Sequence, residues 1–265
     1  GMMGMMVDAE TSPIKDIAPQ RDLIKPLLAL PPSGTLQERV HGMLRQWDYD
    51  VSGKTKIGNS SAAVYQAWVW RLARDTFQDD LGNDLFARYW ATGLAPQSLA
   101  RLVEKPDDAW WDDVTTSQRE TRDDILRRAY AEALGDIGRR YGDLHTIWEW
   151  DTMHLADFRH PLGGPGPLAR LMNRTIKLGG DAPFDPAQPA DPRHPYQAVL
   201  VPALQIKQAD SGLMEFTLAG GQSGNPFSPH YADLLALWGR GQSAPVQNPA
   251  RWQDLSGASV LTLTP

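Results

Sequence analysis

Two hydrophobic periods divide this chain. Between residues 35 and 140 the apolar positions return every three or four residues, the spacing of amphipathic helices. Leu36, Val40, Met43, Leu44 and Trp47 form one such face, opened by the capping-box pattern Thr35-Leu36-Gln37-Glu38. Asn59 or Ser60 caps a longer helix in which Ala63, Tyr65, Ala67, Trp68, Val69, Leu72, Ala73 and Phe77 are apolar around much of the circumference. Such a helix is expected to be buried on more than one side. Residues 81–90 and 96–103 read as two further helices. A second capping box, Ser117-Gln118-Arg119-Glu120, opens a helix to about Arg140 with Ile125, Leu126, Ala129, Ala133, Leu134 and Ile137 on its inner face. Arg119, Arg122, Arg127 and Arg128 with Glu120, Asp123 and Asp124 make its solvated side. Residues 2–30 also read as helical, cut by Pro13, Pro19 and Pro26 and ended by Pro31-Pro32-Ser33-Gly34.

The period changes after Tyr141-Gly142-Asp143. Residues 144–150 and 153–158 are short aromatic or β-prone pieces, and residues 160–167 have too much Gly and Pro for regular structure. From there to Pro195 the composition predicts a long loop, of the kind that is functional or covers another surface. Residues 197–207 and 213–219 read as strands joined by a turn at Asp210-Ser211-Gly212, and residues 259–263 as a closing strand. Helices first and strands later predict an α+β fold: a mainly helical lobe over 2–140 and a loop-rich, strand-bearing segment over 141–265, together one folding unit. Three or four strands make a poor independent sheet, so they are expected to complete a larger one. The strand at 213–219 is then an exposed edge and, with Met2, Met3, Met5 and Met6, a source of self-association.

Composition narrows the chemistry. The chain has 265 residues, 42% of them hydrophobic, enough for a substantial core. A net charge of -6 without clustered Lys and Arg argues against a nucleic-acid partner. No apolar run approaches the ~20 residues that span a bilayer, so no membrane partner is expected. Residues 2–7 are apolar but too short for a signal peptide and run into Asp8 and Glu10. The absence of cysteine excludes disulfides, thiol catalysis and Cys-based metal sites.

Asp48, Asp50 and Ser52 superficially follow a calcium loop, but Asn59 stands where the bidentate Glu is required. Asp107, Asp108, Asp112 and Asp113 could bind a cation, but a solvated turn is the favoured reading, since acidic residues are common before helix starts. His145, His154 and His160 lack the i, i+4 spacing of a helical metal motif. There is no Gly-x-Ser-x-Gly elbow and no phosphate-binding Gly loop. The most distinctive stretch is Gly220 to Asp233, a strand–loop–helix corner. Its helix is expected over 231–238, with Ser228 as cap, Pro229 in the first helical position and Asp233 in the first turn. The corner could hold an anion or line an active site, though its spacing alone favours a capped connection. Gln222, Ser223, Asn225, His230 and Tyr231 are its candidate substrate-binding or rim residues.

Several pieces in order resemble the C-terminal half of the β chain of the penicillin acylase family. They are Leu23 to Leu28, Leu44-Arg45-Gln46-Trp47-Asp48, Ala62 to Trp68, Trp110-Trp111-Asp112-Asp113 through Arg122, Tyr141 to His145, His160-Pro161-Leu162-Gly163, and Gly220 to Asp233. The resemblance covers nearly the whole chain. It implies an αββα N-terminal-nucleophile hydrolase cut from a precursor. The new N-terminal Ser of the β chain uses its own amino group as base, a group whose pKa near ~8 suits neutral pH. The linear amides cleaved are those of penicillins, cephalosporins or acyl-homoserine lactones. By the same resemblance the nucleophile, the oxyanion-hole Asn and its adjoining Arg lie upstream of this sequence. No catalytic residue is therefore assigned, and the chain alone is expected to be inactive. Its implied partners are the α chain and the N-terminal part of the β chain. No cofactor is implied, and a structural calcium would be held mainly by residues absent here. Some relatives carry an orienting carboxylate on a late strand; the corresponding residues 198–207 offer Gln205. A periplasmic or secreted location also follows from the resemblance. A non-enzymatic binding module on the same scaffold is the alternative; an unrelated helical binding protein is disfavoured by the ordered motifs.

Overall fold

A computed structural model describes residues 18–49, 56–142, 148–164, 166–177, 204–208, 214–239 and 242–246. They fall into two compact units, residues 1–201 and 202–265. The expected Met cluster, the turn at 210–212 and the strand at 259–263 lie outside the described residues. The architecture is α+β: mostly helical, with five short strands described.

The first unit is a helical lobe. Helix α1 (Ala18–Ala29) runs through both prolines expected to break it. Pro19 occupies the second helical residue, where no amide is needed, and Pro26 is held because Leu23, Ile24 and Leu27 are buried around it. Helix α2 (Thr35–Arg45) starts without the expected capping box: its N-cap is Gly34, at φ 90, and Thr35 is already helical. The Gln37 amide oxygen instead reaches back and accepts from the Ser33 N–H at 2.7 Å. Val40, Leu44 and Trp47 are buried as expected, Leu36 is exposed, and the polar His41 is buried among them.

Helix α3 (Lys56–Ala91) is the spine. Every apolar residue expected to be buried on it, from Ala63 to Phe77, is buried, and from Gly58 to Ala73 the helix is covered on all sides. Asn59 is not its cap. It lies inside the helix, donates to Asp151 Oδ1 at 3.2 Å and accepts from the Asp151 N–H at 3.1 Å. The helix breaks at Gly82, whose φ of 72 and ψ of 167 separate two straight segments. This φ is one that residues with a Cβ avoid. Helix α4 (Ala95–Leu102) and a 3-10 turn (Ala109–Trp111) close around the second segment.

Helix α5 (Arg122–Tyr141) packs along α3 and buries the six residues expected, together with Tyr130. Its capping box is four residues later than the pattern suggests. Thr121 accepts from the Asp124 N–H while Asp124 Oδ2 accepts from the Thr121 N–H. Glu120, the expected box partner, is engaged elsewhere and accepts from the Asp113 N–H and the Thr116 hydroxyl. Thr121→Ala is therefore expected to lower stability by about 1 kcal/mol in denaturant titration, and Ser117→Ala to leave it unchanged.

Two arginines expected at the surface are drawn inward. Arg128 sits 3.0 Å from Asp113 and 3.9 Å from Asp75, and Arg122 donates to the Val103 carbonyl. On the facing side, Arg71 of α3 grips Asp136 and Glu132 of α5 at 2.5 and 3.0 Å. Asp75 lies beneath this network, its side chain 8% exposed. Burial, and next the Glu132 carboxylate, push its carboxyl from 3.8 up to about 6 against the pull of Arg128, Arg74 and Arg71. A folded pKa above the unfolded one gives a stabilisation that is full below about pH 4 and lost as pH rises through about 6. His41 works in the other direction. Burial, and then Arg45, hold its imidazole below 6.5, so it destabilises the fold as pH falls through that value. Asp75→Asn removes only the first effect. The stability of the natural chain relative to this variant is expected to fall by on the order of 1 kcal/mol from about pH 4 to pH 7, read by thermal unfolding. A constant difference would refute it.

The span read as a long loop contains structure. After the short helix α6 (Trp150–Met153), β1 (Leu155–Phe158) pairs antiparallel with β2 (Arg174–Lys177), and helix α7 (Pro167–Met172) lies between them. β1 falls in the β-prone piece expected over 153–158, whereas α7 and β2, inside the expected loop, are too short to show a period. In the second unit, β3 (Leu204–Gln208), β4 (Met214–Leu218) and β5 (Ala244–Val246) form one antiparallel sheet in that order. The strand expected as an open edge is thus the central one. β5 was not expected, and its Pro245 is tolerated because an outer strand can spare an amide.

Candidate functional site

The corner from Gly220 to Asp233 leaves β4 and is built almost entirely from bonds between side chains and nearby backbone. Ser223 Oγ accepts from the Asn225 N–H at 3.1 Å, Asn225 Oδ1 from the Phe227 N–H at 3.0 Å, and Ser228 Oγ from the His230 N–H at 3.1 Å. Ser and Asn form such two-residue turns readily, at the expense of helix. The Ser223 N–H then donates to the His230 carbonyl at 3.0 Å and closes the loop, and the Leu234 N–H donates to the Gly220 carbonyl at 3.0 Å. The expected helix over 231–238 is reduced to α8 (Leu235–Trp238), because Ser228 spends its oxygen on His230 rather than on a helix start. Leu235 and Trp238 are buried, and α8 packs on β4.

Gly221 is where the corner is tightest. A Cβ there would stand 2.0 Å from the His230 carbonyl oxygen and 2.6 Å from the Tyr231 carbonyl carbon. No side chain fits, so the return of the loop onto its own start requires glycine.

Gln222, Asn225 and His230 are exposed, and Ser223 and Tyr231 partly so. His230 Nδ1 lies 2.8 Å from Asp233 Oδ2. That bond, the first of several, holds the Asp233 carboxyl below its ordinary value. Both groups face solvent, where such a pair stabilises little. Among the described residues no serine hydroxyl of the corner bonds a histidine ring. The corner therefore presents a rigid polar surface, with the His230 ring and the Gln222 amide outward.

The other candidates are separate. Asp48 is described, whereas Asp50, Ser52 and His145 lie outside the described residues. His154 is buried and stacks on Trp150 at 4.8 Å. His160 Nδ1 accepts from the Leu162 N–H in its own turn. Asp108 accepts from the Trp110 N–H, Asp112 from the Glu120 N–H and Asp113 from the Thr115 N–H, so these carboxylates organise a loop. Among the described residues no group of three His, Asp or Glu converges as metal ligands. Sequence reasoning missed Asn173. Its Oδ1 accepts from the His160 N–H and its Nδ2 donates to the Gly163 carbonyl, both at 2.9 Å. This locks the His160–Gly163 turn over a polar pocket of about 580 Å³ bounded by Asp157, Arg159 and Arg174. An Asn closing a Gly- and Pro-rich run is the only signal the sequence offers for it.

Residues 1–254 match the family model described as Penicillin amidase. The acyl-homoserine lactone acylase QuiP of Pseudomonas syringae pv. syringae (strain B728a) is 30% identical over 230 residues, which cover 80% of this chain and 27% of that protein. QuiP of Pseudomonas aeruginosa is 31% identical over 237 residues, covering 80% and 28%. The penicillin acylase 2 proenzyme of Pseudomonas sp. (strain SE83) is 26% identical over 242 residues, covering 87% and 29%. Among solved structures, a thermostable penicillin G acylase from Alcaligenes faecalis aligns with a TM-score of 0.47 at 14% identity, covering 93% of this chain and 46% of that one. The chain thus spans a little over a quarter of the length of these curated relatives. The resemblance read from the ordered motifs holds: the chain belongs to the penicillin amidase family.

Proposed function

We propose that this chain is the C-terminal portion of a β chain in an amidohydrolase that cleaves the linear amide of an acylated small molecule, an acyl-homoserine lactone or a β-lactam side chain. The observation that carries this reading is the family match across residues 1–254. The acylase names of the relatives support the reaction class. That the alignments cover little more than a quarter of each relative supports a nucleophile carried outside this chain.

In this reading an N-terminal Ser, deprotonated by its own α-amine, attacks the amide carbonyl. The tetrahedral intermediate expels the amine as it takes up the proton, and water then releases the acid from the acyl-enzyme. This chain's share is architectural. Its strands extend the catalytic sheet, and Gln222, Ser223, Asn225, His230 and Tyr231 stand at the site's rim. Its partners are the α chain and the remainder of the β chain, with self-association when they are missing. A periplasmic or secreted location goes with this assignment; among the described residues no helix is long and apolar enough to cross a membrane.

The test is release of the homoserine lactone amine from an N-acyl-homoserine lactone, with a penicillin assayed beside it. The chain alone is expected to give no turnover. The chain joined to the segment that precedes it in its reading frame is expected to turn over, and to lose this when the mature N-terminal Ser becomes Ala. Turnover by the chain alone would overturn the placing of the nucleophile outside it, whereas an inert joined protein or a reading frame with no such segment would favour a non-enzymatic binding module.

A further inference from the structure

The break at Gly82 opens a hollow that neither segment of α3 fills. A pocket of about 400 Å³ lies there, inside the first unit. Phe77 and Leu102 form its buried side. Phe77 meets Tyr89 edge-on at 5.5 Å and Trp110 at 5.4 Å. Leu85 and Trp110, 52% and 40% exposed, stand at its mouth.

One polar feature interrupts this lining. The Tyr89 hydroxyl lies 2.6 Å from Ser98 Oγ. Each hydroxyl brings one proton, and one of the two is committed to their mutual bond. The pair therefore keeps one donor and spare lone pairs for a third group. Every lining residue is uncharged, so an ionic head would lose its hydration here without a counter-charge. A cavity of about 150 Å³ accommodates benzene, and this one is more than twice as large.

The geometry points to a binding site for a neutral small molecule with an apolar body and one terminal oxygen function, a hydroxyl or carbonyl, anchored on the Tyr89–Ser98 pair. The aromatic wall takes the body edge-on, and the hydroxyl pair fixes its end. The occupant is a small molecule rather than a protein surface. The polar handle is set in a concavity with two half-exposed residues at its mouth, whereas a specific protein contact spreads over roughly 800 Å² on each partner. The inference is independent of the amidohydrolase reading.

The test uses the 265-residue chain and 1-octanol, a probe with no amide bond, so that its outcome is separate from any acylase activity. Calorimetry and saturation-transfer NMR are expected to show one saturable site with a Kd on the order of 0.1–1 mM. Octanoate is expected to bind at least about tenfold more weakly, since its charge has no partner in the pocket. Leu85→Glu changes a residue already more than half exposed and is expected to keep the fold while weakening 1-octanol by about tenfold or more. Tyr89→Phe is expected to weaken it roughly two- to tenfold through the lost hydrogen bond. Non-saturable uptake, equal binding of octanoate, or indifference to both substitutions would overturn the proposal. So would self-association that Leu85→Glu abolishes in a chain that never takes up 1-octanol, because a second copy would then be the occupant.

Discussion

Trp68→Ala is expected to cost about 3–5 kcal/mol of stability, enough to leave a marginal domain largely unfolded. Trp68 is fully buried in the middle of α3. Its ring lies 6.1 Å from Tyr65, and Tyr65 lies 5.3 Å from Trp47, so the indole backs the ring that joins the spine to the chain following α2. Alanine there opens a cavity in the most enclosed part of the lobe, between helices too regular to collapse into it. Trp68→Phe is expected to be far milder, within about 2 kcal/mol. The indole N–H has no hydrogen-bond partner among the described residues, and deleting an unpaired buried donor recovers part of what the smaller ring loses. Urea titration of both variants checks the pair. Equal losses would show that the N–H is paired after all.

The helical lobe was legible because its signal is long. Eight apolar positions on α3 and six on α5 repeat over several turns, and no local accident cancels that many. Caps were less legible because a capping box is four residues and competes with its neighbours. Ser117 and Thr121 head similar patterns; Thr121 wins because Ile125, the first buried residue, follows it by one turn, and because Glu120 is already bound to the loop. Helix 231–238 shrank for a related reason. Ser223, Asn225 and Ser228 offer their oxygens to backbone two residues on, and each turn so formed competes with helix. Contacts distant along the chain leave no trace in a single sequence. Asn59 and Asp151 bond across 92 positions, and nothing near either residue announces the other. The open sheet edge at 213–219 failed on the same ground, since the three residues of β5 that cover it are too few to show an alternation.

Gly221→Ala is expected to destabilise the second unit by roughly 3 kcal/mol or more, the upper range for forcing an atom into packed structure. The added methyl would sit 2.0 Å from the His230 carbonyl oxygen, 2.6 Å from the Tyr231 carbonyl carbon and 2.8 Å from Asp233 Oδ1. The first two are backbone and cannot rotate away. The loop can relieve the clash only by giving up the Ser223 N–H to His230 bond, which is what closes it. Gly224→Ala is the control: an added methyl there meets nothing within 4 Å, and its effect is expected to stay within about 0.5 kcal/mol. Amide exchange at Ser223 and Leu234 reads the difference directly, because both N–H groups donate across the corner. Rapid exchange at both in Gly221→Ala, with α3 and α5 still protected, is the expected pattern. Under the proposed function, the same variant joined to its preceding segment separates two roles for the corner. If Gln222, Asn225 and His230 border the site, opening it raises KM at temperatures where the protein remains folded. If the corner only joins β4 to α8, activity follows the folded fraction and KM does not move.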